Sequence, residues 1–118
     1  MSTSDFDPAT ARHTWRVAAF DYGEMTILLP ALADLRAAAP GICLGVVQVA
    51  PAQVARKAEQ GEIDLAFMTA TEASPDLRRR RLFSDRYVLA GRADHPGLRR
   101  RPTLARFCKL DHAIVSPE

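Results

Sequence analysis

Three short apolar runs, at residues 15–20, 42–49 and 63–68, constrain this chain more than any other feature. They read Trp-Arg-Val-Ala-Ala-Phe, Ile-Cys-Leu-Gly-Val-Val-Gln-Val and Ile-Asp-Leu-Ala-Phe-Met. Each has strand length. The first, largely apolar rather than alternating, fits a strand covered on both faces. The segments between them have helical period. From about Met25, Leu28, Leu32 and Leu35 recur at i, i+4 and i+7, while Asp34 and Arg36 lie off that stripe. Pro30 is expected in the first turn of this helix, where its missing N–H has no bond to lose, and Pro40-Gly41 is the stop. Pro51 opens a second helix, with Val54 and Ala58 on one face, and Gly61 ends it. Strand–helix–strand–helix–strand at this spacing means parallel strands joined by helical crossovers.

The second half changes character. Residues 69–76 form a polar loop. Residues 78–83 and 86–92 are two extended runs parted by Ser84-Asp85, and two arrangements fit: a hairpin, or a strand that crosses to another lobe. Asp94-His95-Pro96-Gly97 is a turn. Thr103 is expected to cap a short helix running to Cys108, and residues 113–116 to begin a further strand. Residues 1–14, rich in Ser, Thr, Asp and Pro, are a tail or linker.

Composition removes several classes of function. With 118 residues, 47% hydrophobic and 25% charged, the chain can bury a real core. A net charge of +2 is too small to make the whole domain a nucleic-acid binder. Residues 1–14 lack the apolar segment of a signal peptide, and nothing approaches a membrane span. Cys43 and Cys108 have no zinc-site spacing. They are expected as buried small hydrophobes of a reduced, cytoplasmic protein, with a disulfide or a reactive thiol as the alternative. His13, His95 and His112 stand near no nucleophile motif, and neither a P-loop nor a GxGxxG run occurs. No catalytic set, metal site or cofactor is expected. The runs Arg78-Arg79-Arg80-Arg81 and Arg99-Arg100-Arg101 invite a phosphate-contact reading. Without a motif to present them, the solvated-surface reading is favoured.

A site is expected at the carboxyl edge of the parallel strands, where open α/β sheets bind ligands at a topological switch point. The residues there are Asp21, Tyr22 and Gly23 after the first strand, Ala50 after the second, and Met68 and Thr69 after the third. Backbone N–H groups at a helix start favour an anionic or carboxylate ligand, against which Asp21 would act. The bland alternative is that Asp21 is an N-cap and Tyr22 packs the loop.

The segments FDPATARHTWRVAAFDYGE (residues 6–24), LLPALADLRAAAPGI (28–42), GEIDLAF (61–67), RRLFSDRYVLAGRADHP (80–96) and LARFCKLDHAIVSP (104–117) occur in an order and spacing that together resemble the effector-binding domain of LysR-type transcriptional regulators. The likeness is greatest to the branch of nodulation and aromatic-degradation regulators. It implies an α/β, periplasmic-binding-protein-like (type 2) fold: two lobes, each a parallel-dominated sheet flanked by helices, with a small-molecule inducer in the cleft between them. Residues 15–88 would be the first lobe. Residues 89–118 would be the crossover and the start of a second lobe that is incomplete here. The resemblance adds Ser116 to the effector-binding set. No helix-turn-helix precedes Phe6, so direct DNA binding by this chain is not expected, nor is any membrane association. A homo-oligomer is implied, and the inducer would be a small aromatic or carboxylic compound. The competing reading is a dimerisation or interaction module with no ligand of its own.

Overall fold

A computed structural model describes residues 5–114. Contacts divide the chain into two units, Met1–Arg80 and Arg81–Glu118.

The first unit is the parallel α/β arrangement. Strand β1 (His13–Ala18) is followed by a short helix α1 (Asp21–Gly23), a π-helical turn (Glu24–Leu28) and helix α2 (Leu29–Ala38). Then come β2 (Ile42–Val47), α3 (Pro51–Glu59) and a two-residue β3 (Leu65–Ala66). The sheet order is β2-β1-β3, with both pairings parallel. β1 runs in register with β2 from His13 opposite Ile42 to Ala18 opposite Val47. It meets β3 at Val17–Leu65 and Ala18–Ala66.

Several sequence boundaries shift. β1 starts at His13 rather than Trp15 and ends before Phe20, which is exposed. Only Val17 and Ala18 of β1 are buried, so coverage on both faces holds at its carboxyl end alone. β3 is shorter than the 63–68 run because only Leu65 and Ala66 enter the ladder, with Ile63 buried beneath it. Asp64 extends that pairing. Its backbone N–H donates to the Arg16 carbonyl (2.8 Å), and its carboxylate accepts the Arg16 N–H (2.8 Å). The Arg16 guanidinium donates to the Gly61 carbonyl. A strand too short to hold its own register is thereby pinned to β1 by side-chain and loop bonds.

The helical run after β1 begins at Asp21, four residues before the expected start near Met25, and continues to Ala38. Pro30 therefore lies well inside the run. The π-helical turn directly before it accommodates this: the Leu29 N–H reaches back five residues to the Glu24 carbonyl, and regular α-helix restarts with Pro30 in its first turn. Asp21 is not an N-cap. Phe20 occupies that position without a side-chain cap.

The core comprises Val17, Ala18, Ala19, Ala39, Val49, Val54 and Ile63; Ala18, Val49, Val54 and Ile63 form one cluster, with Ala58, Ala66, Met68 and Leu77 packed against it. Val54 and Ala58 supply α3's inward face, as their spacing predicts. Gly61 ends that helix at φ 71°, a left-handed conformation that favours glycine. Lys57 pairs with Glu62 across the same turn, and that hydrogen bond and charge hold the Glu62 carboxyl below its ordinary range. The pair's contribution is present above the unfolded carboxylate pKa and disappears as pH falls through the lowered folded value.

The cysteines overturn an expectation: both Cys43 and Cys108 are exposed. Cys43 lies on β2, an edge strand whose outer half is open to solvent.

Neither the 78–83 run, which straddles the boundary between the units, nor the 86–92 run of the second unit pairs, and no hairpin forms among the described residues. His95 caps a 3-10 turn (Pro96–Leu98), its Nδ1 accepting the Gly97 N–H at 3.1 Å. Thr103 caps helix α4 (Leu104–Phe107) by accepting the Arg106 N–H, as expected. Residues 113 and 114 are not in a strand, and the rest of that expected element lies outside the described residues.

Ile63→Ala should lower stability to urea by about 2–4 kcal/mol, because it empties a packed site. Val47→Ala, at a position 38% exposed, should cost under about 1 kcal/mol. Equal losses would contradict this placement of the core.

Candidate functional site

In a sheet ordered β2-β1-β3, the chain leaves β1 toward one neighbour and later returns on the other side. The switch point is therefore the carboxyl edge between β1 and β3. Three loops gather there. After β1, Ala19 is buried and its N–H donates to the Val47 carbonyl (3.1 Å), tying the loop to β2. On the other side, the Phe67 N–H donates to the Ala18 carbonyl (2.9 Å), tying the β3 loop to β1. Gly23 closes the arrangement. A Cβ placed on it would lie 3.6 Å from the Cβ atoms of both Ala19 and Phe67, so α1 rests directly on the β3 loop. The loop after β2 joins through Gln48, whose Nε2 donates to the Asp21 carboxylate at 3.5 Å.

The structure thus brings Asp21, Tyr22, Gly23, Ala50, Met68 and Thr69 to one edge of one unit. Gly23 and Met68 are half-buried, and the other four are exposed. Ser116 lies outside the described residues. Tyr22 takes part in the first helical turn, its carbonyl accepting the Thr26 hydroxyl. The Thr69 hydroxyl donates to the Glu72 carboxylate (2.7 Å), which also accepts the Thr69 N–H (3.3 Å).

Three residues at this edge escaped the sequence reading: Gln48, Phe67 and Glu72. Gln48 and Phe67 were open to the same carboxyl-edge rule, since each immediately follows its ladder. Glu72 carried no signal, because only the folded turn brings it back to Thr69.

The floor is apolar. Ala19, Phe20, Val49, Phe67 and Met68 line a hollow of about 10 Å³. That is about one water and far below the size of a ligand pocket. A small molecule at this edge would lie against it, not within it. The charge at the edge comes from the carboxylates of Asp21 and Glu72. Among the described residues no group of His, Cys, Asp and Glu could hold a metal ion.

A parallel 2-1-3 lobe with its loops collected at the carboxyl edge is the architecture of ligand-binding α/β lobes. Residues 8–118 match the family described as the LysR substrate binding domain, and the chain belongs to that family. Its fold is α/β of the type 2 periplasmic-binding-protein kind. The chain is 33% identical over 116 residues to the HTH-type transcriptional activator NagR of Ralstonia sp, covering 98% of this chain and 38% of that protein. It is 33% identical over 111 residues to the HTH-type transcriptional activator NahR of Pseudomonas putida, covering 93% and 37%. It is 34% identical over 117 residues to the HTH-type transcriptional regulator SyrM 1 of Sinorhizobium fredii, covering 95% and 33%. The chain therefore spans between 33% and 38% of the length of these curated relatives. The relatives are transcriptional regulators rather than enzymes.

Gly23 has ordinary helical angles (φ −65°, ψ −38°). Gly23→Ala should therefore stabilise the fold by up to about 1 kcal/mol through helix propensity. Gly23→Leu should destabilise it by about 1–3 kcal/mol by pushing atoms into Ala19 and Phe67. Thermal unfolding of the two variants checks this contact, and a neutral Gly23→Leu would contradict it.

Proposed function

We propose that this chain is the inducer-sensing part of a LysR-type transcriptional regulator, and that its carboxyl edge supplies one wall of the inducer site. The observation that carries this reading is the convergence of the three post-strand loops, through Gly23 on Phe67 and Gln48 on Asp21. In this reading residues 15–88 serve as the first lobe, and residues 89–118 as the crossover and start of the second. Ser116, outside the described residues, is the further effector-binding residue that the family likeness adds. The protein acts in the cytoplasm. No helix among the described residues is long and apolar enough to cross a membrane.

The chemistry of the edge favours a small aromatic inducer. Phe20, Phe67 and Met68 offer an apolar surface for a ring. The Asp21 and Glu72 carboxylates favour hydroxyl or amine donors on it, while backbone N–H groups at the start of the helical run favour a carboxylate. Phenol and benzoate separate these two polar preferences.

A specific observation also supports self-association. α2 has no buried residue, and the same helical run exposes Met25, Leu29 and Leu32. An apolar helix face of this kind is stable in water when another surface covers it. We read it as the face on which two copies meet. Leu29→Lys should shift the chain toward monomer in sedimentation experiments, and an unchanged mass distribution would contradict this assignment.

Saturating phenol or benzoate should raise the thermal unfolding temperature, since a ligand at about 100 times Kd adds roughly 2.7 kcal/mol. Tyr22→Ala should cut that shift by more than half. Absence of a shift with either compound, or an undiminished shift in Tyr22→Ala, would overturn the assignment of the site.

A further inference from the structure

The second unit carries a separate feature. Residues 81–118 contain eight Lys and Arg side chains against four Asp and Glu, a net of +4 in a chain whose total is +2. Three of these arginines, Arg92, Arg100 and Arg101, line one groove of about 410 Å³. The groove is open to solvent rather than enclosed, so a ligand would lie along it. The remaining lining is largely apolar, from Leu89, Leu98 and Pro102. Leu98 is held in place: its Cδ1 methyl lies 2.3 Å from where a Cβ on Gly91 would stand, so the absent side chain at position 91 gives it its seat.

The charge in the groove is poorly compensated. Arg92 pairs through Nε with Asp94 at 3.1 Å, which leaves its terminal nitrogens available. Arg100 and Arg101 have no ion pair or hydrogen bond among the described residues. Concave surfaces lined by one sign of charge concentrate counter-charge. Guanidinium groups match carboxylate and phosphate oxygens through paired N–H donors. A phosphate backbone is a weaker fit, because three arginines gathered around one concavity do not follow a strand or helix, and no aromatic side chain lines the groove for base stacking.

We propose that this groove is a small-anion site distinct from the carboxyl edge of the first unit. It takes a compact organic dianion, with the apolar body on Leu89, Leu98 and Pro102 and the acidic oxygens on Arg100 and Arg101. Carboxylate and phosphate supply the same oxygen chemistry, and two probes tell them apart.

The test is isothermal titration of the full chain with phthalate, phenyl phosphate and the neutral dimethyl phthalate, repeated on the Arg100→Ala/Arg101→Ala variant. Both substitutions fall on exposed side chains, and an unchanged melting temperature verifies the fold. Saturable binding of at least one dianion is expected, weakened about tenfold in the variant and by added salt, with no binding of the diester. Whichever dianion binds more tightly identifies the acidic group. The proposal is overturned if neither dianion saturates. It is also overturned if the double variant binds as well as the parent, if Arg78→Ala/Arg79→Ala weakens binding equally, or if only duplex DNA binds.

Discussion

β1 is the strand on which the rest of the first unit depends. It is hydrogen-bonded on both sides, and its last residues, Val17 and Ala18, are buried. The long register with β2 fixes one flank. The other flank has only two ladder pairs, and the Arg16–Asp64 exchange supplies what a two-residue strand lacks. The loop through Phe67, Met68 and Thr69 begins one residue beyond that pinned segment. A slip of one residue would turn Leu65 and Ala66 to opposite faces and carry the whole loop away from α1.

Small side chains then allow the loops to meet. Ala19 and Gly23 meet where β1 turns into the helical run, and Gly23 lets α1 approach Phe67 of the β3 loop. The π-helical turn follows directly and absorbs Pro30. The resulting edge has an apolar floor, two carboxylates and a glutamine that bridges neighbouring loops. In the proposed reading this edge is one wall of the inducer site. In that reading it would select by shape and by a few hydrogen bonds.

Much of this architecture was legible in the sequence. The three apolar runs and the two helical segments between them required a parallel α/β unit, and the carboxyl-edge rule then selected Asp21, Tyr22, Gly23, Ala50, Met68 and Thr69. The misses have physical causes. Asp21 and Tyr22 read as a turn because acids and glycine cluster there, and the helix began early because a π turn hides the change of period. The cysteines were expected inside because free cysteine usually is, but Cys43 falls on an edge strand whose position no local pattern reveals. The extended runs after residue 77 had strand composition and found no partner strand among the described residues, since pairing depends on distant segments. Glu72 reached the site through a turn, and sequence spacing alone did not indicate it.

The most direct test of the central claim is to map where a small aromatic ligand contacts the chain, by recording backbone amide shifts during titration with phenol and with benzoate. The perturbed amides are expected to cluster at residues 20–23, 48–50 and 67–72, on the carboxyl edge of β2-β1-β3. Perturbation centred on the opposite edge, around Arg12, His13 and Ile42, would contradict it, as would saturable binding with no response in those three loops.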